Sequence, residues 1–190
     1  ILSTRQTGHV AAVGLHLYTQ LLSQAVQRQK GETPPVTSAA TETAGIVIDL
    51  PLAAYLPGDW IPEMALRLQI YRRIAGLSSQ AEIDAMRDEL LDRFGQLPIA
   101  VDGLLYQIEV KLLAQAAAAT HILARGQQVQ VKLPYLGEVD RLALEQRLGD
   151  DVTVSRVAVT LPLDDDQLWK LRLLDVLGAL AAGVQATYGR

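Results

Sequence analysis

The chain has 190 residues, 49% of them apolar and 20% charged, which is the balance of an ordinary folded domain rather than a disordered one. Its formal net charge of −4 leaves no general basic field for a phosphate backbone, so nucleic-acid binding is not expected of the chain alone. The absence of cysteine excludes a disulfide framework and a thiolate zinc site, and it fits a cytoplasmic protein.

The N-terminal part of the chain predicts a separate helix followed by a linker. Within residues 1–31, Val10 to Lys30 carry apolar side chains at helical spacing, and Gly31 is placed to end the helix. Residues 32–45 consist largely of Pro, Thr, Ser and Ala and predict a flexible linker. Because the sequence opens on Ile1 rather than Met, we expect it to be a fragment of a longer protein.

Residues 46–190 predict one domain of strands and helices. The β-branched run 46–50 stops at Pro51 and predicts a strand, after which Pro57 and Pro62 hold an extended loop. Further elements follow from periodicity: helices at 63–76, 79–94, 99–120, 137–148 and 167–182, and strands at 128–133 and 152–161. The last strand region has an offset at Ser155–Arg156 that fits either a bulge or a turn.

These elements predict an α+β fold, with a short mixed or antiparallel sheet covered by several amphipathic helices. The order of the strands does not follow from the sequence. The helix at 79–94 is the best defined, because Ser79 and Glu82 form a capping-box pattern. Its buried line is predicted to be Ile83, Met86, Leu90 and Phe94, and its other faces are strongly charged.

No pattern in the chain predicts catalysis. The three histidines are scattered, no phosphate-loop lysine is present, and acids such as Asp88 and Asp92 are expected to lie on a solvated helix face. The run Asp164–Asp166 could hold a cation, but it suits the start of the last helix better. We therefore expect no metal, nucleotide or other cofactor in this chain, and no membrane span.

Two features leave alternatives open. Trp60 lies in a loop between prolines and is either a plug that anchors the loop to the core or an anchor for a partner. Arg67, Arg72 and Arg73 pair with acids of the following helix, remain solvated, or meet a partner.

A set of short motifs resembles the C-terminal end of the bacterial transcription-repair coupling factor family, Mfd. The motifs occur in the family's order and cover about half of the chain. They are Gln6–His9, Gly14–Tyr18, Ile48–Pro51, Tyr55–Pro57, Trp60–Pro62, Arg67–Leu68, Ile70–Ala75, Glu89–Leu90, Asp92–Gly95 and Leu97–Pro98.

The resemblance implies a division of the chain and a function. Residues 1–31 would be the tail of the motor's translocation segment, with Arg5 and Gln6 coupling ATP hydrolysis to movement on DNA. Residues 46–190 would be the C-terminal regulatory (TRCF) domain. In this family the whole protein translocates on duplex DNA, displaces stalled RNA polymerase and recruits UvrA through a UvrB-like domain, while ATP and magnesium bind to motor domains upstream.

The resemblance also implies partner and contact residues. The terminal domain would fold back on the UvrB-like domain of the same protein and mask its UvrA-binding surface. We expect Glu89 to be an interface acid, with Asp92 and Arg93 beside it. The alternative is a DNA-contacting accessory module of a RecG-like helicase or translocase that uses Arg67, Arg72 and Arg73. A small hydrolase has no support in the sequence.

Overall fold

The computed structural model describes residues 46–134, 136, 141–163 and 168–188. The segment 1–31 with its predicted helix at 10–30, the linker at 32–45, and Arg5 and Gln6 lie outside these residues, as does the Asp164–Asp166 run.

The described residues form five strands and five helices. In chain order they are β1 (Val47–Asp49), α1 (Met64–Ala75), α2 (Gln80–Phe94), α3 (Ile99–Ala116), β2 (His121–Arg125), β3 (Gln128–Lys132), α4 (Arg141–Leu148), β4 (Thr153–Val154), β5 (Ala158–Pro162) and α5 (Leu168–Tyr188). The prediction of an α+β fold is therefore confirmed.

The strands form one mixed sheet in the order β1-β2-β3-β5-β4. Strand β1 runs parallel to β2, and all other neighbouring strands are antiparallel. The two edge strands, β1 and β4, have only three and two residues. Short edges of this kind limit the unpaired backbone that could template aggregation.

One face of the sheet is packed into the hydrophobic core. Register places Ile122, Val131 and Val159 in one row across the three central strands, and all three side chains are fully buried. The same core contains the apolar side chains of the helices, including Leu104 of α3 and Leu177 of α5. Burial of this face fixes the strand register, because a slip of one residue would move the valines to solvent.

The third helix is shorter than its sequence predicts, and the strand after it was missed. The prediction of a helix over 99–120 is wrong beyond Ala116, because the chain turns there and His121–Arg125 joins the sheet. The backbone N–H of Ala119 donates to the carbonyl of Ala114 at 2.8 Å, and that of Ala118 donates to Gln115 at 3.1 Å. These two bonds form a Schellman motif, and Ala118 takes the left-handed conformation at φ 55° that glycine usually occupies.

The predicted strand region at 152–161 consists of two strands joined by a turn, rather than one bulged strand. The backbone N–H of Ser155 donates to the carbonyl of Ala158 at 2.8 Å, and the Ser155 hydroxyl accepts from the Ala158 N–H at 3.0 Å. These bonds close the turn between β4 and β5.

The proline-rich loop between β1 and α1 is fastened to two helices. Leu56 N–H donates to the hydroxyl of Tyr71 on α1 at 2.7 Å, and Tyr55 N–H donates to the carbonyl of Ala100 on α3 at 3.1 Å. At Gly103 of α3 the loop comes so close that an added Cβ would lie 2.0 Å from the carbonyl oxygen of Ala53. The loop is therefore a fixed part of the domain that positions α1 and α2.

Candidate docking surface

Helix α2 carries the predicted interface residues, and its first turn is fixed by local hydrogen bonds. The Ser79 hydroxyl accepts from the Glu82 N–H at 3.3 Å, as the capping box predicts. The Glu82 carboxylate accepts from the N–H of Ser78 at 2.7 Å and from its hydroxyl at 3.0 Å. These hydrogen bonds lower the pKa of Glu82, so the helix start is held by a charged group at neutral pH.

The buried and exposed faces of α2 follow its periodicity. Ile83, Met86 and Leu90 are buried, and Phe94 packs partly buried against the same core, which confirms the predicted line. The side opposite this line carries three exposed acids at intervals of four residues. We call Asp84, Asp88 and Asp92 the acidic ridge of α2.

One flank of α2 is joined to α1 by a clamp of three charged side chains. Arg73 of α1 donates from Nη1 and Nη2 to the two carboxylate oxygens of Glu89, at 2.6 and 2.5 Å. Arg93, one turn further along α2, donates to Glu89 Oε1 at 2.9 Å. These two arginines lower the pKa of Glu89 to about 2, chiefly through the hydrogen bonds from Arg73. We refer to Arg73, Glu89 and Arg93 as the arginine clamp.

The other flank of α2 is joined to α3. The Arg87 guanidinium forms a salt bridge with the carboxylate of Asp102 near the start of α3. Glu109, further along α3, is partly buried, and this burial raises its pKa despite the attraction of Arg87. Helix α2 is thus tied by charged side chains to both neighbouring helices, while its ridge faces away from the core.

Trp60 is the plug of the proline-rich loop. Its ring packs against the core and lies with its centroid 5.3 Å from that of Phe94 on α2. The guanidinium of Arg93 lies over the Phe94 ring, with its central carbon 5.0 Å from the ring centroid. The Trp60 Nε1 atom is buried without a hydrogen-bond partner among the described residues. The Trp60–Phe94 pair therefore contacts the arginine clamp through the Phe94 ring and the Arg93 guanidinium.

The three arginines of α1 have different environments. Arg67 donates from Nη1 to the carbonyls of Ile61 and Pro62, at 2.5 and 3.1 Å, and so closes the loop onto the helix. Arg73 belongs to the clamp. The side chain of Arg72 is exposed and has no hydrogen bond or ion pair with any described residue. Pairing within the chain was one of the alternatives for this set, and it holds for Arg73.

The structure brings two of the three predicted interface residues into one unit and leaves the third apart. Glu89 and Arg93 are bonded to each other in the clamp, whereas Asp92 lies on the acidic ridge. Sequence reasoning did not select Arg73 as a site residue. Arg73 was named only within the set of three α1 arginines, for which pairing with acids of the following helix was one alternative, and the sequence did not single out Glu89 as its partner.

The described residues contain neither a metal-binding cluster nor a membrane-spanning helix. In the parts of the chain that the structure describes, no group of three His, Cys, Asp or Glu side chains could hold a metal ion. Over the same residues, no helix is both long and apolar enough to cross a bilayer. The surface does present the acidic ridge, a row of exposed carboxylates on α2. This helix packs on the core and is bonded to α1 and α3.

The fold and this surface define a small α+β domain that presents a charged helix bonded to its neighbours on both flanks. A family model described as the TRCF domain matches residues 50–141, a range that contains the loop, α1, α2 and the arginine clamp. Curated relatives named transcription-repair-coupling factor match the chain over up to 80% of its length. The chain belongs to the transcription-repair coupling factor family.

The relatives match this chain over a small part of their own length. The protein from Staphylococcus haemolyticus is 31% identical over 152 residues, which are 80% of this chain and 12% of the relative. The protein from Mycobacterium bovis is 37% identical over 132 residues, 65% of this chain and 10% of the relative. The Haemophilus influenzae protein is 38% identical over 116 residues, 60% of this chain and 10% of the relative.

A solved structure supports the fold. A crystal structure of the C-terminal domain of a transcription-repair coupling factor superposes with a TM-score of 0.63, over 76% of this chain and 96% of the other. At 16% sequence identity this likeness concerns the fold alone.

Proposed function

We propose that residues 46–190 form a regulatory docking domain that folds back on another domain of the same protein. The observation that carries this proposal is the construction of α2. Its flanks are tied to α1 by the clamp and to α3 by Arg87, so the acidic ridge between them is presented on a rigid support. Rigid presentation lowers the entropy lost on binding.

The proposed partner is the UvrB-like domain of the parent protein, and the proposed consequence of docking is that the UvrA-binding surface of that domain is masked. The match of residues 50–141 to the TRCF domain supports this assignment, because the match contains the whole of α2. The parent would be a cytoplasmic ATP-dependent DNA translocase that acts on stalled RNA polymerase, with its ATP and magnesium sites outside this chain.

The clamp changes the role that is proposed for Glu89. A partner arginine that reached its carboxylate would compete with Arg73 and Arg93, which already occupy both oxygens. Asp88 and Asp92 are exposed and have no such internal partner among the described residues. We therefore propose that Asp92 makes the direct contact, while Glu89 holds the flank of the surface in shape.

The alternative of a DNA-contacting module built on the α1 arginines has less support. Arg67 is bound to two loop carbonyls and Arg73 to Glu89, so only Arg72 of that set retains a free guanidinium. One exposed arginine beside an acidic ridge is a poor phosphate site.

Calorimetry with the isolated UvrB-like domain tests the proposal. We expect saturable binding that Asp92→Lys weakens at least tenfold, because a truncated or reversed charge at a desolvated contact costs about 2–5 kcal/mol. Glu89→Gln should weaken binding less, because it loosens the clamp without placing a wrong charge at the contact.

Asp150→Lys is the matched control, because Asp150 is an exposed acid in the turn after α4 and lies outside α2. It should bind like the unmodified chain. Equal weakening by Asp150→Lys would show loose charge attraction rather than a docking face. An absence of saturable binding would overturn the proposal.

A further inference from the structure

Charges are distributed unevenly between the two layers of the domain. Most arginines of the helical layer are engaged: Arg67, Arg73, Arg87, Arg93 and Arg172 each bond to a carboxylate or a carbonyl. In the sheet, the side chains of Arg125 and Lys132 are exposed and have no hydrogen bond or ion pair with any described residue. The sheet therefore holds cations that the fold itself does not use.

Register places these cations on one surface. Lys132 pairs with His121 across β2 and β3, and Arg125 pairs with Gln128 at the other end of the same strands. Since side chains alternate between the two faces of a strand, all four lie on the face opposite the buried valines. We call this surface the outer face, and on β2 to β5 it consists of His121, Leu123, Arg125, Gln128, Gln130, Lys132, Thr153, Ala158, Thr160 and Pro162.

The outer face is separate from the main core. Leu123 and Ala158 are well shielded, at 7% and 9% exposure, yet neither belongs to the hydrophobic core cluster that contains the inner face. On β2 to β5 the outer face has no carboxylate, and the acid nearest to it by register is Asp49 of the edge strand β1, opposite Leu123.

The chemistry of the outer face suits an anionic backbone. It combines two full cations and an imidazole with the amides of Gln128 and Gln130 and the hydroxyls of Thr153 and Thr160, all of which can donate to phosphate oxygens. It has no aromatic ring on which a base could stack, so it does not resemble a single-strand platform. From His121 to Arg125 the strand covers about 13 Å, or roughly four base-pair steps of a duplex.

We propose that the outer face of the sheet contacts the phosphodiester backbone of duplex DNA without reading its bases. The contact lies on the sheet and uses none of the residues of α2, so it is independent of the proposed docking surface. With two or three phosphates neutralised, binding is weak, and the logarithm of the binding constant falls with the logarithm of salt concentration with a slope of about −2 to −3.

Fluorescence anisotropy of a labelled random-sequence duplex of about 20 base pairs, titrated with the full chain at about 20 and 200 mM salt, tests the proposal. We expect binding at low salt that the double variant Arg125→Glu/Lys132→Glu weakens at least tenfold. Both side chains are exposed, so the variant should keep the thermal midpoint of the unmodified chain. Arg72→Glu/Arg141→Glu is the control, because it changes the net charge by as much as the double variant, removes two exposed cations from helices and should leave the outer face intact.

Three results would overturn the proposal. The first is an absence of binding at low salt. The second is equal weakening by the control, which would show that net charge rather than the outer face decides. The third is competition by poly-glutamate as strong as by unlabelled duplex at equal charge, which would identify an acidic protein as the partner of this face. None of these results bears on docking by α2, since Asp92 variants report on that separately.

Discussion

Arg73 and Glu89 lie sixteen positions apart in the sequence and form a two-point ion pair, with both guanidinium nitrogens within 2.6 Å of the two carboxylate oxygens. The pair joins the end of α1 to the last two turns of α2 and recruits Arg93 as a third member. It lies beside the acidic ridge, so the helix proposed to dock is bonded to α1 on the flank of its proposed contact surface.

Protonation of Glu89 should weaken the fold in acid. Its pKa is about 2 in the folded chain, below the ordinary 4.5, so its contribution is complete above pH 4.5 and disappears as the pH falls toward 2. The side chains of Arg73 and Glu89 are 49% and 31% exposed, so solvent screening limits this contribution to about 1 kcal/mol or less.

Urea unfolding between pH 2 and pH 6 measures this contribution, with Glu89→Gln beside the unmodified chain. We expect a constant difference in the free energy of unfolding above pH 5 that closes in acid. Asp92→Asn serves as the control and should track the unmodified chain throughout. A Glu89→Gln difference that does not change with pH would show that the carboxylate charge is irrelevant to it.

Gly103 should not tolerate a side chain. A Cβ at this position would lie 2.0 Å from the carbonyl oxygen of Ala53, so Gly103→Ala must push the proline-rich loop away from α3. We expect a loss of more than about 2 kcal/mol in the free energy of unfolding, typical of overpacking against backbone. Gly178→Ala in α5 is the matched control, since its Cβ meets nothing within 4 Å.

The control substitution Gly178→Ala should itself change the stability of the chain. Alanine has the higher helix propensity, so Gly178→Ala should stabilise the chain by up to about 1 kcal/mol. Thermal unfolding monitored by circular dichroism measures the change in transition temperature for both variants. If both substitutions shift the transition in the same direction, the close approach of α3 to the loop does not control stability.

Ala118→Gly should stabilise the domain. Ala118 is exposed and holds φ 55°, a conformation that costs an L-residue about 1–2 kcal/mol and glycine almost nothing. Part of this gain is lost to the greater freedom of glycine in the unfolded chain, which leaves about 0.5–1 kcal/mol.

Ala116→Gly separates the two effects, because Ala116 is also exposed but is the last helical residue of α3. There the same substitution should destabilise by about 0.5 kcal/mol, since it carries the entropy cost without relief of strain. Chemical denaturation gives both values. A destabilised Ala118→Gly variant would contradict the Schellman geometry.

The folding unit should extend beyond the family match that ends at residue 141. Strand β5 lies inside the sheet, pairing with β3 over five residues, and α5 packs into the same core. A chain cut after residue 141 loses both and leaves Val129 and Val131 without their partners on β5.

We expect the truncated chain to lose the cooperative thermal transition and to expose apolar surface to a hydrophobic dye. A chain that starts at residue 46 should keep the transition, because the described core closes within the residues that follow it. A sharp transition in the chain cut after residue 141 would show that β5 and α5 are an appendage rather than part of the unit.

The sequence by itself determined the features that depend on neighbours along the chain. The capping pattern of Ser79 and Glu82 and the spacing of Ile83, Met86 and Leu90 predicted α2 and its buried line, because caps and helical periodicity act within one or two turns. Alternating valines gave β3 and the region of β4 and β5 in the same way. The family motifs are local too, and they were sufficient for the family.

Tertiary structure decided what local preference could not. The alanines from 116 to 119 favour a helix in isolation, but the gain from placing Ile122 in the sheet outweighs the strain at Ala118, so the helix ends and β2 begins. The partner of Glu89 was likewise set by how α1 lies against α2, which no spacing encodes. Contacts between residues distant in sequence arise only when the core has fixed the elements that carry them.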